Sequence, residues 1–87
     1  MDKIISFSLM AEHGKPMKYD LTFDQFIDFR CLLLLGGEKT IGPHRLEVKG
    51  GYLNHYKKSS GQPSYSIPLD GALDILDRAE EEARKAQ

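Results

Sequence analysis

The sequence predicts an α+β domain, a two-layer sandwich in the order ββα-βββα, with a mainly antiparallel sheet carrying both helices on one face. Three observations carry that reading. Apolar and polar residues alternate in two early stretches, around Ile5-Phe7-Leu9 and Met17-Tyr19-Leu21, the period of a half-buried strand. Two later stretches, from Phe23 and from Leu69, place apolar residues at helical spacing instead. Between them, Gly50-Gly51 separates two further alternating runs, the mark of a two-residue hairpin turn.

The elements come in order. Ile5, Phe7 and Leu9 alternate with Ser6 and Ser8, and the polar turn 12–16 leads into Met17, Tyr19 and Leu21, closing a hairpin. Thr22 with Gln25 three residues on has the spacing of a capping box. A helix carrying Phe23, Phe26, Ile27, Cys31 and Leu34 then runs to Gly36-Gly37, which stops it. Leu46 and Val48 alternate with Arg45, Glu47 and Lys49, and after the glycine pair residues 52–56 return antiparallel. Residues 57–63 read as a polar, basic surface loop, and 65–67 as a short fifth strand. Pro68 suits a helix start, where its missing N–H would be unpaired anyway. The stripe Leu69, Ala72, Leu73, Leu76, Ala79 and Ala83 marks an amphipathic last helix, with Glu81 and Lys85 spaced to pair.

A weak echo links the two strand-to-helix junctions. Residues 19–28 align with 65–74 at an offset of 46, repeating Tyr, Asp and Asp at Tyr19/Tyr65, Asp24/Asp70 and Asp28/Asp74. Convergence on one good junction accounts for it, since acids suit the positive end of a helix.

Composition bounds the function. Eighty-seven residues are room for one domain. The longest apolar run, 31–35, has five residues, against about 20 for a membrane helix. The first residues lack the apolar core of a signal peptide, so a cytoplasmic location is expected. A single cysteine excludes an internal disulfide and a cysteine-built zinc site. No phosphate-binding glycine loop is present, and His13, His44 and His55 lack helical metal-pair spacing. No cofactor, metal or catalytic residue is therefore expected, and the reading is of a non-enzymatic protein.

Two surfaces remain. Helical geometry gathers Phe23, Phe26, Ile27, Cys31, Leu33 and Leu34 on one face of the first helix and leaves Leu32 among polar residues, with Phe29 and Leu35 on the flanks. Phe29, Leu32 and Leu35 are thus expected to form an exposed patch, for self-association as a homodimer or for a partner. Arg30 lies near the apolar face and needs a carboxylate partner or a path to solvent. Cys31 reads as a small buried hydrophobe. The second surface is the hairpin over 44–58. The glycine turn pairs Lys49 with Tyr52, Val48 with Leu53, Glu47 with Asn54, Leu46 with His55 and Arg45 with Tyr56. With Leu46, Val48 and Leu53 turned to the helices, the other face displays Arg45, Lys49, Tyr52, Asn54 and Tyr56, with Lys57 and Lys58 next in the chain. Rings and cations of this kind stack on bases and neutralise phosphates, or anchor a protein partner. Twelve basic against thirteen acidic residues, a net charge of −1, favours protein over nucleic acid. His44 reads as an exposed residue at a strand start and His55 as a semi-buried packing residue.

From Thr22 onward the predicted order is α-β-β-β-α over 66 residues, with Gly42-Pro43-His44 ahead of a strand. This resembles a double-stranded RNA-binding domain, in which a Gly-Pro-x-His loop lies between the first two strands. The resemblance implies duplex RNA as ligand and a lysine-rich cluster at the start of the last helix. Here that start, 68–74, carries Asp70 and Asp74 instead, which repel phosphate. The histidine also comes directly after proline, and an extra hairpin precedes the domain.

The expected function is a small protein-binding regulator or inhibitor, acting through the open sheet face or the first helix. Compact domains without catalytic motifs are common among phage products, including inhibitors of host defence such as anti-CRISPR proteins. That association rests on size and missing motifs. The alternative is a nucleic-acid-binding domain using the basic, tyrosine-bearing hairpin face.

Overall fold

A computed structural model describes residues 4–12, 14–56 and 63–85, apart from the side chains of 63 and 64. The order is β1 (Ile4–Met10), β2 (Pro16–Thr22), α1 (Phe23–Leu35), β3 (Gly37–Ile41), β4 (His44–Lys49), β5 (Tyr52–Tyr56), β6 (Pro63–Pro68) and α2 (Ala72–Lys85). The α+β class and the antiparallel pairing are as the sequence predicts. The strands fall into two sheets, β1-β2 and β3-β4-β5-β6. Where β1 ends, the Glu12 N–H donates to the Ser66 carbonyl of β6 at 3.0 Å, bringing the two sheets side by side.

The alternation in β1 decides what it buries. Ile5, Phe7 and Leu9 are buried, while Ser6 and Ser8 are exposed. Their partners Leu21 and Tyr19 in β2 are fully buried. Phe7 stacks on Tyr19 at 5.4 Å between centroids and meets Phe29 edge-on at 5.3 Å, geometries that suit the ring quadrupole. The capping box forms as expected: Thr22 Oγ1 accepts the Gln25 N–H at 3.2 Å, and Gln25 Oε1 accepts the Thr22 N–H at 3.0 Å. Gly36 caps the other end with φ 76°, its N–H donating to Leu32.

The face of α1 departs from expectation. Phe26, Phe29, Leu32 and Leu33 are its buried residues, whereas Phe23, Ile27, Leu34, Leu35 and Cys31 are exposed. Phe29 at 0% and Leu32 at 5% exposure belong to the core and not to a surface patch. The reason is that α1 is apolar nearly all round, so spacing alone does not select the inward side. Tertiary contact selects it: the Phe29 ring packs on Phe7 of β1 and Tyr19 of β2. Leu35 is exposed as expected, and Cys31 is exposed against expectation.

Residues 37–41, assigned to no element from sequence, form the edge strand β3. Four of its five residues are exposed and only Ile41 is buried, so no apolar alternation announces it. Charged side chains on such an edge discourage pairing with other chains. The register between β4 and β5 is the predicted one throughout, from Lys49↔Tyr52 to Arg45↔Tyr56, and Gly50 and Gly51 have φ 61° and 82°, as the turn requires. The last helix begins at Ala72, three residues after Leu69. Gly71 at φ 76° breaks the chain out of helical geometry there, and the Ala72 N–H turns back to the Leu69 carbonyl. The two echoing junctions therefore differ in geometry.

Arg30 finds carboxylates on α2, Asp77 at 2.7 Å and Glu80 at 3.0 Å, which ties the two helices together. Glu81 and Lys85 pair at 3.5 Å, as their spacing allows. No helix among the described residues is long and apolar enough to cross a membrane.

Candidate functional site

The four-stranded sheet has two unlike faces. Leu46 and Leu53 are fully buried on the inner face, with Ile41 and Ile67 beside them. Because cross-strand partners share a face, the outer face carries Arg45, Glu47, Lys49, Tyr52, Asn54 and Tyr56, with Glu38 and Thr40 from β3 and Ser66 from β6. Arg45, Lys49, Tyr52, Asn54 and Tyr56 are thus brought together. Lys57 and Lys58 lie outside the described residues.

The side chains on this face largely engage one another. The Arg45 guanidinium lies 5.2 Å from the Tyr56 ring centroid, and its Nε approaches Glu38 Oε1 at 3.4 Å. The Tyr56 hydroxyl donates to Glu47 at 2.8 Å. That bond, more than any other influence, holds the hydroxyl proton and raises the Tyr56 pKa. Ser66 donates to the Asn54 carbonyl oxygen at 2.9 Å. Tyr52 is 38% exposed, and a hydrogen bond to Glu12 raises its pKa. Glu12, Lys49, Tyr52, Asn54 and Ser66 line a shallow recess of about 220 Å³, offering donors, acceptors and a ring edge to a polar side chain.

Glu38 and Glu47 also lie on this face, though the sequence reading does not count them among its displayed residues. Pairing with Asn54 puts Glu47 between Arg45 and Lys49, so the hairpin register contains the signal that finds it. Glu38 has no such signal, because no local pattern marks its strand. The two carboxylates change the electrostatics of the face from basic to mixed.

Behind the sheet lies an unexpected pair. His44 Nδ1 and His55 Nε2 are 3.4 Å apart, and both rings pack against Tyr19, with centroids at 5.0 and 6.2 Å. His44 is therefore not a free residue at a strand start. Burial lowers both pKa values, and for His55 the charge of His44 adds to the effect. Among the described residues, Tyr19 Oη and His55 Nδ1 are buried without a hydrogen-bond partner. Gly42 and Pro43 make the β3–β4 turn, and four strands, not three, lie between the helices. The resemblance to a duplex-RNA-binding domain accordingly weakens at its motif and at its strand count.

Among the described residues, no group of three or more His, Cys, Asp or Glu side chains is placed to hold a metal ion. No protein-family model matches the chain, and no characterised protein or solved structure is significantly similar to it.

Proposed function

We propose that the protein is a small non-enzymatic regulator or inhibitor that presents the outer face of its four-stranded sheet to a partner protein. The observation that carries this reading is the chain of contacts Glu38–Arg45–Tyr56–Glu47. Tyrosine and arginine are the residue types that dominate protein interfaces. Held by one another, they lose little freedom on binding, which lowers the ordering cost of association. The carboxylates between the cations suit the mixed charge of a protein surface and oppose a phosphate backbone. A component of a host defence system, the target of anti-CRISPR-like phage inhibitors, is the first partner class to try, by association with size and missing motifs.

The test is retrieval of a partner on the immobilised protein from its native host, with and without nuclease, at low and moderate salt. A protein retained through nuclease treatment and moderate salt is expected. Tyr52→Ala and Tyr56→Ala are expected to weaken its capture by about 10- to 30-fold each. Loss of capture on nuclease treatment, with steep decline in salt, would replace this reading with nucleic-acid binding through Arg45, Lys49, Tyr52 and Tyr56.

A further inference from the structure

The solvent side of α1 has the wrong chemistry for a free surface. Six residues of the helix are exposed, and five of them are apolar: Phe23, Ile27, Cys31, Leu34 and Leu35, with Asp24 the sole charge. Phe23 and Ile27 expose nearly half their surface, Leu34 61% and Leu35 84%. A helix packed on one side only should turn charged residues outward. Lys39 and Asp28, paired at 3.1 Å, stand at the edge of the stripe, where polar groups border an interface without entering it.

From this stripe we infer that the protein forms a two-fold dimer in which α1 of one copy packs antiparallel on α1 of the other. The spacing singles out a second copy as occupant. Along the helix the stripe runs 23, 27, 31, 34, with steps of four, four and three, so it reads nearly the same in either direction. An antiparallel copy sets Phe23 against Leu34 and Ile27 against Cys31, and two-fold symmetry makes each contact twice. Cys31, the small residue of the stripe, allows the axes to approach to the usual 8–10 Å. The area is also adequate. Phe23, Ile27 and Leu34, with Leu35 beside the stripe, present roughly 400 Å² of apolar surface, the size of patch that marks interaction sites. That is about half of the ~800 Å² that each partner contributes to a standard interface, which suits a dimer that dissociates on dilution. The stripe and the outer sheet face lie on different elements, so this dimer stands or falls apart from the function proposed above.

Sedimentation velocity over a range of concentrations tests it. The expected result is a species of twice the chain mass that dissociates on dilution. Ile27→Asp and Leu34→Asp are each expected to raise the dissociation constant about 100-fold or more, because every substitution acts twice in the interface. Leu35→Asp, at the most exposed position, provides a variant that cannot disturb the core. Met10→Asp, at an exposed apolar residue of β1, should leave the dimer intact. A short bismaleimide should join Cys31 of the two copies in the wild-type dimer. A monomer at the highest concentrations would overturn the proposal. So would a dimer that survives these α1 substitutions with circular dichroism unchanged.

Discussion

His44 and His55 show how a register can contain a site without displaying it. Pairing Leu46 with His55 places His44 on the same face, diagonal to His55, a separation that ring side chains span. The contact at 3.4 Å is therefore implicit in the hairpin alignment; what the alignment lacks is Tyr19, which arrives from β2 and buries the pair. The same alignment makes Arg45, Lys49, Tyr52, Asn54 and Tyr56 legible as one face, because a glycine turn with no slack leaves a single register. Protonation is the sensitive event at the histidines. The rings facing them are Tyr19 and Tyr65, with no carboxylate in the contacts of the described residues to receive a charge. Both pKa values lie below the ordinary 6.5, so between the folded and unfolded values the unfolded chain binds more protons and folding loses stability. Their contribution is complete above about pH 6.5 and declines as pH falls below it. Urea midpoints measured between about pH 7.5 and about pH 5 should fall with acidification. Replacing both residues, His44→Gln with His55→Gln, should flatten that dependence. An unchanged slope in the double variant would assign the acid sensitivity elsewhere.

At the scale of elements, legibility tracks the strength of the local pattern. α2 has a single apolar side, and its stripe is plain in the sequence; only its start differs, at Ala72 in place of Leu69, because Gly71 turns the chain first. α1 has apolar residues on every side, so its inward direction is set by the rings of β1 and β2 that Phe29 packs on and not by its own spacing. β3 is invisible to pattern because four of its five residues face solvent. The start of α1, by contrast, is written locally in Thr22 and Gln25, whose reciprocal bonds are intact. Removing the hydroxyl with Thr22→Ala leaves the Gln25 N–H without its acceptor and should cost about 1 kcal/mol of unfolding free energy. Thr22→Ser, which keeps the oxygen, should cost less than half of that. Denaturant unfolding of the two variants decides the point. Equal losses would mean that the methyl group, and not the cap, stabilises this end.

Across the whole molecule, the sheets are two but the core is one. The division is not legible in the sequence, because alternation identifies strands without saying which non-adjacent strands pair. The core nevertheless spans both sheets. Phe7, Tyr19 and Leu21 from the β1-β2 hairpin share a cluster with Leu46, Leu53 and Ile67 from the other sheet and with Phe26, Phe29 and Leu76 from the helices. Opening the hairpin alone would expose Phe7 and Tyr19 together with the Phe29 ring against which both pack, so there is no inexpensive partial unfolding along that seam. The −1 net charge is distributed in the same unified way. Among the described residues, Arg30 and Arg84 neutralise acids of α2, while Glu38 and Glu47 lie beside the hairpin cation Arg45 and its partner Tyr56, so charges of both signs are offset locally. Unfolding should therefore be a single two-state transition, with a heat-capacity change of about 1.2 kcal/mol/K for this length. Hydrogen exchange provides the sharper test. Amides of Phe7 and Leu21 in one sheet and of Leu46 and Leu53 in the other should open with free energies within about 1 kcal/mol of one another, all close to the global value. If the β1-β2 amides exchanged through a separate, cheaper opening, the hairpin would be an appendage to the four-stranded sheet, and the shared aromatic cluster would contribute far less than its burial implies.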